Sequence, residues 1–285
     1  MTRSGTISRN ELCNRCQLGG LSLCKGIRAY SELSRKRSGP RLRAVTTQTT
    51  LVEENENPQF SGILRTGYLR AERILADGRR SIMGFFAPGD LVGDVMGAVG
   101  GPALVSATDA EICTLDTAAL RLAMREDPDL NAHFIREAIK QHTRQLEMIW
   151  RRGALNSRER ILAFMVMATE FMPTDPQPDG SLILKVRVSR RDWADFCNTT
   201  VETISRTVTY LSEKDMVESL GDGCFRIRDL GVLARLAGLD LPDDYPAMLV
   251  SSAQNRADKP RVPAGKRGSD SLVPKPVSGS VSLRN

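Results

Sequence analysis

The sequence predicts an α+β fold in three parts: a β-roll behind a cysteine-bearing amino-terminal loop, one long helix, and a winged helix-turn-helix. Three observations predict it. From about Thr47 to Leu120, short β-prone runs such as GILRTGYLRAERIL and RRSIMGFF alternate with Asn-, Gly- and Pro-bearing turns. From Asp127 to Phe171 apolar residues return at helical spacing, with a break near Gly153. From Ser189 to Ser219 the chain reads as helix, turn, helix, and LGDGCFRIRD after it as a tight hairpin.

Composition sets the frame. The chain has 285 residues, 41% hydrophobic and 26% charged, enough for two modest domains with separate cores. No apolar run approaches the roughly eighteen residues of a membrane span, and MTRSGTISRN lacks a signal peptide's apolar centre. A cytoplasmic protein with no membrane partner is expected. In that compartment disulfides are disfavoured, so six cysteines point to metal or redox chemistry.

The elements follow in order. Residues 1–30 form a cysteine-rich segment in which Cys13, Cys16 and Cys24 have the form C-x2-C-x7-C, and residues 11–26 show almost no pattern of helix or strand. Gly19 and Gly20 permit a sharp path between the thiols. The roll occupies residues 31–125 and the long helix residues 126–155. On that helix a three-four spacing aligns Ile135, Ala138, His142, Gln145, Ile149 and Arg152 as a dimer seam, with Leu146 and Trp150 beside it. Polar residues within the seam leave pairing sensitive to a small bias. His133 and His142, nine residues apart, lie about 180° apart around the helix and cannot share one iron.

Residues 156–235 carry the helix pair. Ser189 with Asp192 suits the start of its first helix, and Thr199 or Thr200 the start of its second. Glu202 and Arg206 stand four apart with Ser205 between them, so all three project from one face. Arg donates to guanine O6 and N7, Glu accepts from cytosine N4, and Ser bonds a base edge or phosphate. The same two charged residues also suit a plain surface ion pair. Arg190, Arg191 and Lys214 flank the face as phosphate contacts. Cys197 and Cys224 read as small packing residues. Residues 236–285 read as a largely disordered extension: from Ser251, seven Lys or Arg against Asp258 and Asp270 leave +5 of a total of +6.

This order of parts, with TVETISR at residues 200–206 and GFFAPGDLVGD at residues 84–94, resembles the cyclic-AMP receptor/fumarate-nitrate regulator (Crp/Fnr) family of bacterial transcription factors. The resemblance covers roughly residues 10–235. It implies a cyclic-nucleotide-binding-like roll, a homodimer, and Thr200, Glu202, Ser205 and Arg206 reading the half-sites of a palindromic TTGAT-type operator in double-stranded DNA, with RNA polymerase as a partner. The cyclic-nucleotide grip of the family is missing: DVMGAVGGPALVSATDAEI, residues 94–112, has no Arg and no early Glu, so a cyclic phosphate finds no cationic clamp and no cyclic nucleotide is expected. Three cysteines need a fourth soft ligand. Cys113, in DAEICTLD, lies where oxygen-sensing members place their remaining cluster cysteine, so the resemblance implies an oxygen-labile 4Fe-4S cluster on Cys13, Cys16, Cys24 and Cys113. Arg15, Lys25 or Arg28 would offset its charge. Zinc or thiol-only redox sensing on the same fold, and a cysteine-based redox enzyme, are the alternatives; no nucleotide loop or flavin motif accompanies the cysteines.

Overall fold

A computed structural model describes residue 13 and residues 16–33, 40–94 and 100–241. Arg15 and the tail beyond 241 therefore lie outside the described residues. Among the described residues Ser22–Leu33 form a helix, α1, which begins inside the stretch 11–26 that was expected to show no pattern. Leu23 and Ile27, one turn apart, face the same apolar cluster, and Leu23 is buried.

Eight strands make the roll: β1 (Arg41–Val45), β2 (Thr50–Val52), β3 (Ser61–Thr66), β4 (Leu69–Ile74), β5 (Arg80–Phe86), β6 (Leu91–Gly93), β7 (Ala103–Ser106) and β8 (Ala110–Leu115). They form two antiparallel sheets, ordered β1-β8-β3-β6 and β2-β7-β4-β5. Between them lies a core that includes Val52, Leu64, Leu69, Leu104 and Ile112. Alternation along β8 sends Ile112 into this core and its neighbour Cys113 to the opposite face.

Residues Thr117–Glu126 form a short helix, α2, within the span assigned to the roll. Asp116 caps it by accepting from the Ala119 N–H at 2.8 Å. Helix α3 (Pro128–Ala154) follows, capped by Asp127 with proline in its first turn. Its inward residues Leu130 and Phe134 pack with α1 and α2, and Met148 packs further along. The expected break near Gly153 is found: α4 (Ser157–Phe171) starts after a capping box of Asn156 and Glu159.

The carboxy-terminal domain contains β9 (Thr174–Pro176), β10 (Leu182–Lys185), α5 (Arg190–Phe196), α6 (Val201–Glu213), β11 (Val217–Gly221), β12 (Cys224–Ile227) and α7 (Leu230–Leu236). Its sheet runs β11-β12-β10-β9, and β11 with β12 is the expected wing hairpin. Ala237 and Leu239 are buried in the same core, so this domain extends past residue 235. That core does not stop at the domain boundary. Phe85 of β5 approaches Phe164 of α4 and Phe196 of α5 at ring-centroid distances of 6.2 and 5.3 Å, and Tyr68 donates to the Phe171 carbonyl at 3.3 Å. Replacing Phe85 with Ala should cost about 3 to 5 kcal/mol. Calorimetry should show it lowering the transition of the carboxy-terminal domain as well as that of the roll.

Candidate metal centre and nucleic-acid interface

Cys13, Cys16 and Cys24 line one pocket together with the distant Cys113. Cys16 donates its N–H to the Cys13 carbonyl at 3.2 Å and Gly19 to the Cys16 carbonyl at 3.0 Å, so the segment is wound into successive turns that lead into α1 and Cys24. Gly19 serves by its small size: a Cβ there would stand 3.1 Å from both the Cys13 and Cys16 carbonyl oxygens. Cys113 enters from β8, between Leu42 of β1 and Ile63 of β3 in register. Gly62 lets these strands meet, since a Cβ at that position would lie 2.8 Å from the Cys113 carbonyl oxygen. All four thiols and the apolar residues Leu18, Ile27 and Leu115 line the pocket. Cys197 and Cys224 are not among its walls; Cys197 is buried beside Arg160.

Burial pushes the Cys113 thiol up to about 12, and the neighbouring Cys13, Cys24 and Cys16 push the same way while Arg65 pulls back. Four thiolates gathered here repel one another unless a cationic centre lies among them, which is the donor set that soft metals take. Among the described residues no three His, Cys, Asp or Glu side chains close around a single ion's position, although the four cysteines line one pocket. Of the expected cations, Arg28 lines the pocket and Lys25 is exposed. Arg65 also lines it, paired with Glu111 at 2.8 Å. Sequence reasoning missed Arg65, although its place two residues after Ile63 on the same strand face is a period-two signal.

The second site is the face of α6. Ser189 accepts from the Asp192 N–H at 3.0 Å to start α5, and Thr200 accepts from the Thr203 N–H at 3.1 Å to start α6. Thr200 is thus a cap whose oxygen is engaged. Between the helices Asn198 takes a positive φ of 54°, a conformation Asn accepts more readily than most residues. Ile204, Val208 and Leu211 bury one side of α6, leaving Glu202, Ser205 and Arg206 on the exposed side. The two charged groups hold each other, Arg206 Nη2 to Glu202 Oε1 at 2.5 Å, in an exposed pair worth well under about 1 kcal/mol. A base edge therefore displaces either partner at small cost. Arg191 is exposed, but Arg190 is corrected: its guanidinium lies 5.0 Å from the ring centroids of both Trp193 and Phe225, and its Nη1 is buried. It packs the domain rather than reaching out to phosphate.

Comparison with known proteins matches residues 42–127 to the cyclic nucleotide-binding domain and residues 159–236 to the Crp-like helix-turn-helix domain. The nitrogen fixation regulation protein FixK of Bradyrhizobium diazoefficiens is 25% identical over 224 residues, spanning 75% of this chain and 89% of that protein. The transcriptional activator FnrL of Cereibacter sphaeroides is 20% identical over 242 residues, spanning 84% and 93%. The chain belongs to the Crp/Fnr family of transcription regulators. Among solved structures, FixK2 from Bradyrhizobium japonicum shares the fold with a TM-score of 0.63 at 21% identity, over 72% of this chain and 99% of that one. Like its relatives, this Crp/Fnr protein is a DNA-binding transcription regulator and not an enzyme.

Two further features of the regulator sit on α3. A cavity of about 700 Å³ opens between the helix and the roll, bounded by Val52, Ala71, Phe86 and Leu104 on one side and Ile135 and His142 on the other; no Lys or Arg is among its described walls. An exposed apolar stripe runs Ile135, Ile139, Leu146, Ile149 and Trp150, with Ile135 and Ile139 also lining the cavity. Of the expected seam, Ile135, Ala138, His142 and Ile149 are likewise exposed, with Gln145 half-buried among them. Arg152 leaves the seam altogether, donating to the Ile82 carbonyl at 2.7 Å and to Ser81 Oγ at 2.9 Å. No helix among the described residues is long and apolar enough to cross a membrane.

Arg206→Ala should lose about 1 to 3 kcal/mol of discrimination at one half-site position. Mobility-shift titrations on single-base operator variants measure this, and equal weakening on every sequence would make the residue a phosphate contact. Leu146→Glu should shift sedimentation toward monomer with the circular dichroism spectrum intact, and Gln145→Glu should do so far less.

Proposed function

We propose that this protein is an oxygen-responsive transcription regulator whose 4Fe-4S cluster, held by Cys13, Cys16, Cys24 and Cys113, biases homodimer formation and binding to a palindromic TTGAT-type operator. The observation that carries the reading is the placement of Cys113: a strand residue about ninety positions beyond the amino-terminal cysteines lines their pocket. Such a cofactor cross-links the cysteine helix to the roll. When bound it supplies an oxygen-sensitive centre, and the protein's part is to hold it, shield it with Leu18, Ile27 and Leu115, and balance its charge with Arg28 and Arg65.

Zinc gathers four thiolates within about 4 Å of one another, whereas a cubane takes each thiolate on a separate iron, so metal and sulfide analysis separates the two. A route to DNA also exists. A Cβ on Gly26, two residues past Cys24, would lie 3.0 Å from Leu130 Cδ1, so α1 rests directly on the start of the helix that carries the apolar stripe. Movement of the cysteine helix shifts α3, and with it the pairing of two subunits. Two subunits place two α6 helices one DNA turn apart, matching a palindrome. The cavity above the roll lacks a cation for a cyclic phosphate, which supports a regulator without a cyclic nucleotide, acting with RNA polymerase in the cytoplasm.

The test is anaerobic purification of the parent and of single Cys→Ser variants, with iron, sulfide, zinc, dimer fraction and operator affinity measured before and after air. Cys113→Ser should lose iron as heavily as Cys24→Ser and weaken operator binding, while Cys197→Ser and Cys224→Ser keep both. Full iron and full operator affinity in Cys113→Ser would overturn the ligand set. One equivalent of zinc and no sulfide in the parent would install the zinc alternative.

A further inference from the structure

A cluster of charged side chains joins the roll to the first helix of the DNA-binding pair. From β4 and β5 come Arg70, Glu72 and Arg80; from α5 come Asp192 and Asp195. Arg80 Nη2 lies 2.7 Å from Asp192 Oδ1 and 2.5 Å from Asp195 Oδ2, and its Nη1 lies 3.4 Å from Glu72 Oε2. Arg70 Nε lies 2.5 Å from Glu72 Oε2 and 3.7 Å from Asp192 Oδ1. The side chains of Arg70 and Asp192 are 2% and 1% exposed. Behind them, Gln48 accepts from Arg70 Nη2 at 2.6 Å and fixes that guanidinium from the roll.

A buried ion pair adds little net strength, because desolvation consumes most of its attraction, but removing one partner strands the other at a cost of several kcal/mol. The adhesive between the domains is instead the apolar contact of Ile82, Phe85, Phe164 and Phe196. Apolar surfaces slide; this charge set does not. A shift of α5 by one residue along β5 would leave Asp192 buried without Arg80. We infer that Arg80, with Asp192 and Asp195, is a positioning device that fixes the angle of the helix-turn-helix on its own roll, and thereby the separation of the two recognition helices on a palindrome. Glu202, Ser205 and Arg206 stay exposed in this arrangement. The inference rests on the dimeric reading of the palindrome and is independent of the metal at the cysteine pocket.

The experiment uses the full chain with Arg80→Gln, Asp195→Asn and the double substitution, and duplexes carrying one half-site, the palindrome, or the palindrome with half-sites moved apart by two base pairs. The parent should bind the palindrome much more tightly than the respaced duplex. Each single variant should bind the palindrome about tenfold more weakly, lose most of the discrimination against the respaced duplex, and keep single-half-site affinity. The double variant should be no worse than either single, the mark of two residues acting through each other. Variants that keep the parent's spacing preference, bind the palindrome more tightly, or lose half-site and palindrome affinity together overturn the inference. Should Arg80→Gln fail to fold, Asp195→Asn alone decides, because Asp195 sits at the rim with 23% side-chain exposure. A parent indifferent to spacing would instead remove the dimeric reading.

Discussion

Helix α3 must satisfy four surfaces at once, and its rotational setting is the constraint on which the other features depend. Gln141 fixes that setting as a side chain imitating a backbone pair, donating to the Leu91 carbonyl and accepting from the Leu91 N–H, each at 3.1 Å. Arg144 pairs with Asp90 one turn on, and Arg152 reaches the Ile82 carbonyl two turns beyond. With those bonds made, Leu130 faces the cysteine helix, Met148 faces the roll and the DNA-binding core, and Ile139 with Leu146 faces outward. A rotation of α3 breaks all of these together, so the helix transmits movement rather than absorbing it.

The two sensor-side sites use opposite chemistry on the same sheet architecture. The cysteine pocket is held by short local turns and one strand residue, and its members repel one another as anions. The cavity beneath α3 is apolar and without a basic wall among its described residues. An anionic ligand has no counter-charge there, whereas the thiol pocket has Arg28 and Arg65 within its lining. Electrostatics thus divides the roll between a face suited to a cationic centre with anionic ligands and a face suited to nothing charged.

Much of this was legible in the sequence because it is local. The C-x2-C spacing, the Ser189 and Thr200 caps and the Glu202, Ser205, Arg206 triplet lie within one or two turns of chain, where spacing dictates geometry. The errors are tertiary in origin. Arg152 fits the three-four pattern of the seam, and only its bonds to the Ile82 carbonyl and Ser81 Oγ turn it to the roll. Arg190 and Arg191 are equivalent on paper; Trp193 and Phe225 claim the first. Helix α1 was missed because Cys24 and Gly26 interrupt the apolar pair Leu23 and Ile27, and its stability comes from packing on α3 rather than from propensity. The ion set of Arg70, Glu72, Arg80, Asp192 and Asp195 spans more than a hundred residues, with no signal in any one window.

The setting of Cys113 also governs the reactivity of its own thiol. Thiol–disulfide exchange proceeds through the thiolate, and a thiol that burial pushes up to about 12 stays protonated at neutral pH. Cys113 is therefore a sluggish nucleophile beside three potential disulfide partners. Its own attack on an oxidised neighbour is slow, so the strand cysteine resists disulfide formation. The burial that makes Cys113 hard to ionise thus acts as kinetic protection against a disulfide through that sulfur.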